Sequence, residues 1–170
     1  MESIEQIFND KTIKPKDKTL SLAKLLEEKK VSAHELISFA KNSKDPVKAS
    51  CIEALEFVTK TRPEFADLEC LKFLSGTLAE KAPRIKWESA KTIANICHLF
   101  PDNLDTTIGN LFSNTEHAGT VVRWSSAQAL VAIAKLNHKR NKELLLAMEA
   151  VSKREEKNSI VKIYSTVLKK

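Results

Sequence analysis

Two tryptophans stand at corresponding places in two similar segments. Trp87 lies in Ile85-Lys86-Trp87-Glu88-Ser89-Ala90, and Trp124 lies in Val122-Arg123-Trp124-Ser125-Ser126-Ala127. An indole ring turned away from its own helix's apolar stripe can anchor a partner, because covering it removes a large apolar area from water. One helical turn beyond each ring stands a polar residue, Lys91 or Gln128. Trp87, Lys91, Trp124 and Gln128 are therefore the candidate partner-binding set. The second chemical feature is a column of cations, Lys48, Lys86, Arg123 and Lys162, at steps of 38, 37 and 39 residues. Such a column can bind anions along a track, or it can form a ladder that ties successive repeats together. Both readings stand at the level of sequence.

Catalytic and metal chemistry find little to work with. No GxSxG, HExxH, Walker loop or dinucleotide fingerprint occurs, so no catalytic residue and no cofactor are expected. His34, His98, His117 and His138 are scattered, with no second His or Cys at metal-ligand spacing, and no metal is expected. Cys51, Cys70 and Cys97 lack CxxC spacing and sit in helical apolar patterns, which predicts buried free thiols.

The elements that position these residues are helices. Apolar residues recur at helical spacing, and Pro46, Pro63 and Pro83 stand at helix starts, where a missing N–H is harmless. Ser32 and Glu35 form a capping box. The pattern predicts helices over about 1–10, 17–29, 32–42, 46–60, 64–80, 83–100, 104–114, 121–136, 141–153 and 159–167, with residues 11–18 as a charged connector and no convincing strand. Turning about 100° per residue, Ile85, Ser89, Ile93 and Ile96 fall on one buried stripe. Val122, Ser126, Leu130 and Ile133 do the same in the next copy. Trp87 and Trp124 fall on the opposite side of their helices, with Lys91 and Gln128. Three glycines and five prolines are too few for a turn-rich β-sandwich, and 42% hydrophobic residues suit a folded chain.

A helix pair every 37–39 residues cannot bury its apolar stripe alone, so neighbouring pairs must stack. Ile85-Lys86-x-x-Ser89-Ala90 and Val122-Arg123-x-x-Ser126-Ala127 resemble the HEAT-repeat pattern, with fainter copies at Val47-Lys48 and Val161-Lys162. The resemblance covers about residues 33–170. It implies an all-α, right-handed α-α superhelix (solenoid) of about four HEAT-like helix pairs. Residues 1–170 then form one domain, with 1–31 as an N-terminal helical cap and 32–170 as four repeats. In that family the motif helix is the second of each pair and lines the concave face. An acidic residue six positions before the cation forms the inter-repeat ladder, and Glu80 and Glu156 hold that place before Lys86 and Lys162.

The net charge of +6 is unevenly spread. Residues 119–170 hold 11 Lys/Arg and 4 Asp/Glu, whereas residues 1–118 hold 17 and 18. The expected function is a non-catalytic scaffold or adaptor, monomeric and cytoplasmic, that binds a protein or peptide on its concave face. The acidic segment at 1–11 and the absence of a membrane-length apolar run underlie that location. The alternative is a nucleic-acid binder using the basic last third. Repeats, basicity and groove tryptophans resemble the DNA alkylation-repair glycosylases built from HEAT-like repeats. The likeness breaks at the base, since Lys91 and Gln128 stand where an acidic residue is sought.

Overall fold

The computed structural model describes residues 3–137 and 139–168; the reading of His138 lies outside the described residues. Ten α-helices account for most of them. They are α1 (Ile4–Asn9), α2 (Pro15–Glu27), α3 (Ala33–Lys41), α4 (Asp45–Thr59), α5 (Leu68–Thr77), α6 (Pro83–Ile96), α7 (Asp105–Asn114), α8 (Thr120–Ala134), α9 (Asn141–Arg154) and α10 (Asn158–Leu168). Short 3-10 turns occupy Pro63–Phe65 and Cys97–Leu99, and no strand occurs among the described residues.

Local chemistry sets the helix starts. The Ser32 hydroxyl accepts from the Glu35 N–H, while the Glu35 carboxylate accepts from the Ser32 N–H at 2.7 Å. Ser3 and Gln6 make the same reciprocal pair at α1. Proline occupies the first turn of α2, α4 and α6. Several boundaries differ from expectation, three of them with a clear local cause. Helix α2 begins at Pro15 itself, two residues before Asp17, which shortens the charged connector. The helix expected from Glu64 is delayed, because Asp67 is extended and its carboxylate accepts from the Cys70 N–H at 2.9 Å, starting α5 at Leu68. Helix α6 stops at Ile96, and the chain tightens into a 3-10 turn before Pro101.

Packing follows a simple rule. The even-numbered helices pack in series, α2 on α4, α4 on α6, α6 on α8 and α8 on α10, and each odd-numbered helix from α3 onward leans on the helix that follows it. The even series packs more extensively on itself than the odd series does. One apolar core runs through these contacts, from Ile7 and Leu26 through Leu55, Ile93 and Leu130 to Ile160. Between α5 and α7, polar side chains close the seam. The Ser75 and Thr107 hydroxyls share a hydrogen bond at 2.5 Å, and the Asn110 and Asn114 amides donate to the Ser75 and Leu78 carbonyls. These bonds occupy carbonyls near the end of α5 that have no partner within the helix. No described helix is long and apolar enough to cross a membrane.

Candidate functional site

Helices α6 and α8 carry the tryptophans, and their facing is set by the stripes. Ile85, Ser89, Ile93 and Ile96 are buried, as are Val122, Ser126, Leu130 and Ile133. With those faces inward, Trp87 and Trp124 emerge on the other side of each helix. They do not emerge equally. Trp124 is 38% exposed and makes no hydrogen bond among the described residues, whereas Trp87 is half-buried and its Nε1–H donates to Glu88 Oε1 at 3.0 Å.

The difference traces to one position. Two places beyond the cation column stand Ser50, Glu88 and Ser125. Ser50 and Ser125 turn their hydroxyls back onto the Pro46 and Val122 carbonyls. A carboxylate has no proton to give a carbonyl, and Glu88 instead accepts from the neighbouring indole. Its side chain is only 6% exposed. Burial raises its carboxyl pKa, the Lys91 charge and the Trp87 hydrogen bond work against the rise, and Glu53 adds to it. An acidic residue therefore does stand beside a candidate tryptophan, one residue after Trp87 and not four. The visible signal was a carboxylate in a column that α4 and α8 fill with serine.

Lys91, the expected polar neighbour, is engaged. Its ammonium lies 3.4 Å from Glu88 and 4.0 Å from Glu56. Nearer the start of α6, the Arg84 guanidinium meets Glu53 at 2.7 Å, and the Thr19 hydroxyl donates to the same Glu53 oxygen at 3.3 Å. Asn95 donates to the Glu56 carbonyl and the Thr59 hydroxyl. Two polar clusters thus lie along the α4–α6 seam: Thr19–Glu53–Arg84, which reaches α2, and Glu56–Lys91–Glu88, which ends at Trp87. Gln128 is half-buried on α8 and makes no hydrogen bond among the described residues.

The same layer exposes apolar residues that were not singled out in the sequence. Phe57 on α4 and Val121 on α8 are each 49% exposed, and Leu20 projects from α2. Among the described residues, four of the six exposed large hydrophobic ones, counting Trp124, lie on even-numbered helices. Exposed apolar surface is therefore concentrated on one layer. Phe57 had no repeat signal, because its corresponding places hold Asn95 and Ala132.

The cation column is mostly committed elsewhere. Lys48 pairs with Glu80 at 3.0 Å. The Lys86 ammonium donates to Asn114 Oδ1 at 2.9 Å and to the Leu78 carbonyl at 3.0 Å, and burial lowers its pKa. Arg123 donates to both Glu155 oxygens, at 3.0 and 3.3 Å, and to the His117 and Ala118 carbonyls. Each of these cations reaches forward to the end of the next odd-numbered helix. Glu80 therefore serves Lys48 and not Lys86, and the carboxylate after α9 is Glu155 and not Glu156. Lys162, the fourth, is exposed and has no partner among the described residues.

Burial pushes the Cys51 and Cys70 thiols up to about 12 and the Cys97 thiol up to about 11. Among the described residues, no group of three or more His, Cys, Asp or Glu is placed to hold a metal ion. Three surface cavities of about 340 to 400 Å³ are lined by residues that include neither tryptophan. No protein-family model matches the chain, and no curated protein matches it.

Proposed function

We propose that this chain is a non-catalytic, HEAT-like scaffold that binds a protein or peptide on the face made by its even-numbered helices. One observation carries the reading: Trp124, Val121, Phe57 and Leu20 leave apolar surface uncovered on that layer, while three of the four column cations are bound within the protein. Exposed aromatic residues amid a polar surround have the composition of an interface centre. In this reading α3/α4, α5/α6, α7/α8 and α9/α10 are four stacked repeats behind an α1–α2 cap, forming a right-handed superhelix. The more extensive packing of the even series supports curvature toward it, with that face as the concave one in this reading.

The test uses position-specific crosslinking. A photoreactive residue at Gln128 should give a protein adduct in cells, and the adduct should be lost when Trp124→Ala is added to a variant that still folds. The same probe at Lys72, exposed on α5, should give none. Equal adducts from the two positions would refute the proposed face.

The second reading, a nucleic-acid binder related to the alkylation-repair glycosylases, draws on the basic last third and on exposed Lys135, Lys142, Lys157 and Lys162. Against it, these lysines are spread over the turn after α8, α9, a loop and α10, and Glu88 is closed in by Trp87 and Lys91. Phosphate binding would weaken steeply between roughly 50 and 200 mM salt, so a nuclease-sensitive adduct with that salt response would select this reading.

A further inference from the structure

We infer that a second copy of this chain docks on α9, giving a two-fold dimer in place of the monomer expected from the sequence. This surface lies on an odd-numbered helix, so it stands apart from the even-helix face and does not depend on it. Helix α9 buries Leu144, Met148 and Val151. On its opposite side Lys142, Leu145, Leu146, Glu149 and Lys153 recur at helical spacing and form one stripe. Leu146 is 61% exposed, more than any other large hydrophobic residue among the described ones. Together with Leu145 and with Val167 and Leu168 of α10, it lines a surface groove of about 270 Å³. Helices α9 and α10 pack chiefly on each other and on α8, and none of these contacts covers Leu146.

The order of charges along the stripe points to the occupant, because it is complementary to itself. A two-fold axis passing between Leu145 and Leu146 sets two copies of α9 antiparallel, and each pairing then occurs twice. Leu145 meets Leu146 of the second copy. Lys142, three residues before Leu145, meets Glu149, three residues after Leu146. Both charged residues that line the groove are thereby set against an opposite charge, on either side of an apolar centre. Glu149 already lies 3.4 Å from Lys153 of its own helix, but both side chains are exposed and such a pair is weak. Lys142 of the second copy can therefore join Glu149 without displacing a buried partner. A parallel arrangement would instead set Lys142 on Lys142 and Glu149 on Glu149, which repel. Since the same patch covers itself, the contact closes at two copies.

Sedimentation equilibrium of the full chain, up to millimolar concentration, tests this with charge reversals. The parent should dimerise. Lys142→Glu alone and Glu149→Lys alone should each weaken self-association about tenfold or more, because both symmetric pairings become like-charged. An equimolar mixture of the two variants should recover the parent's affinity, since a dimer of one with the other has opposite charges at every pairing. The two reversals in one chain should restore self-association for the same reason. Recovery cannot come from unfolding, and the altered side chains lie at the surface, so circular dichroism should show the same helix content throughout. Leu146→Ser should weaken every combination. A parent that is monomeric at all concentrations, a dimer indifferent to the reversals, or two weakened variants whose mixture does not recover would each overturn the inference. Association beyond two copies would overturn the closed two-fold contact.

Discussion

Arg123 and Lys162 occupy the same column, yet the structure gives them opposite roles. The Arg123 side chain is 17% exposed and meets the 4% exposed Glu155. Removing the guanidinium in Arg123→Ala strands that carboxylate and frees the His117 and Ala118 carbonyls. Breaking a buried ion pair from one side costs about 3–5 kcal/mol. The pair borders a surface cavity of about 340 Å³, which lets water approach. The low end, about 3 kcal/mol, is therefore expected. For 170 residues the unfolding entropy is about 0.36 kcal/mol per degree, so the midpoint should fall by about 8 °C. Lys162→Ala removes an exposed side chain with no partner among the described residues and should stay within about 0.5 kcal/mol, a shift of about 1 °C.

Acid titration sharpens the contrast. Burial pushes the Glu155 carboxyl up, but the Arg123 hydrogen bond, the Lys157 N–H and the Arg123 charge outweigh it and leave the pKa below the usual 4.5. A depressed carboxyl stabilises the fold above its unfolded pKa, and that stability is lost as pH falls through the folded value. The Arg123→Ala deficit should therefore be full at neutral pH and shrink below about pH 4.5. Thermal melts of the parent and the two variants, followed by circular dichroism across pH, read all of this. Equal shifts for the two variants, or an Arg123→Ala shift under about 2 °C, would show that the column is not a ladder.

Two further outcomes follow from buried groups. Glu88 has the opposite sign to Glu155: its raised pKa means that the protonated form suits the fold, and that stability is lost as pH rises from 4.5 through the folded value. Glu88→Gln keeps an acceptor for the Trp87 indole and removes the titration, so its melting midpoint should gain on the parent's as pH rises above 4.5; a pH-independent difference would disprove the buried-carboxyl account. Cys51, Cys70 and Cys97, buried and with raised thiol pKa values, should be inert to a thiol-reactive dye in the native state and react fully in denaturant. Rapid labelling of any one of them in folded protein would contradict the packing.

The helices were legible in the sequence because amphipathic periodicity is local: Ile85, Ser89, Ile93 and Ile96 share a face whatever lies opposite. Boundaries were less so, since Asp67 competes with the earlier Pro63 for the start of α5, and only the extended backbone at Asp67 decides between them. Side-chain partners were least legible, because they depend on which residue of the next pair comes within reach. Lys48 finds Glu80 and Arg123 finds Glu155, each 32 residues on, while Lys86 uses Asn114, 28 residues on. A rule drawn from residues six apart cannot supply those pairings.

The sequence repeat also hid the candidate face by its own regularity. The recurring cation is drawn into contacts between helices at Lys48, Lys86 and Arg123, while Lys162 on α10 has no partner among the described residues. What departs from the repeat has no stacking duty to explain it. Glu88 replaces a serine, Phe57 replaces a small or polar residue, and Trp124 lacks the carboxylate that holds Trp87. These three departures fall on one layer of helices. Their coincidence there, more than the presence of two tryptophans, sets the even-helix face apart from the rest of the surface.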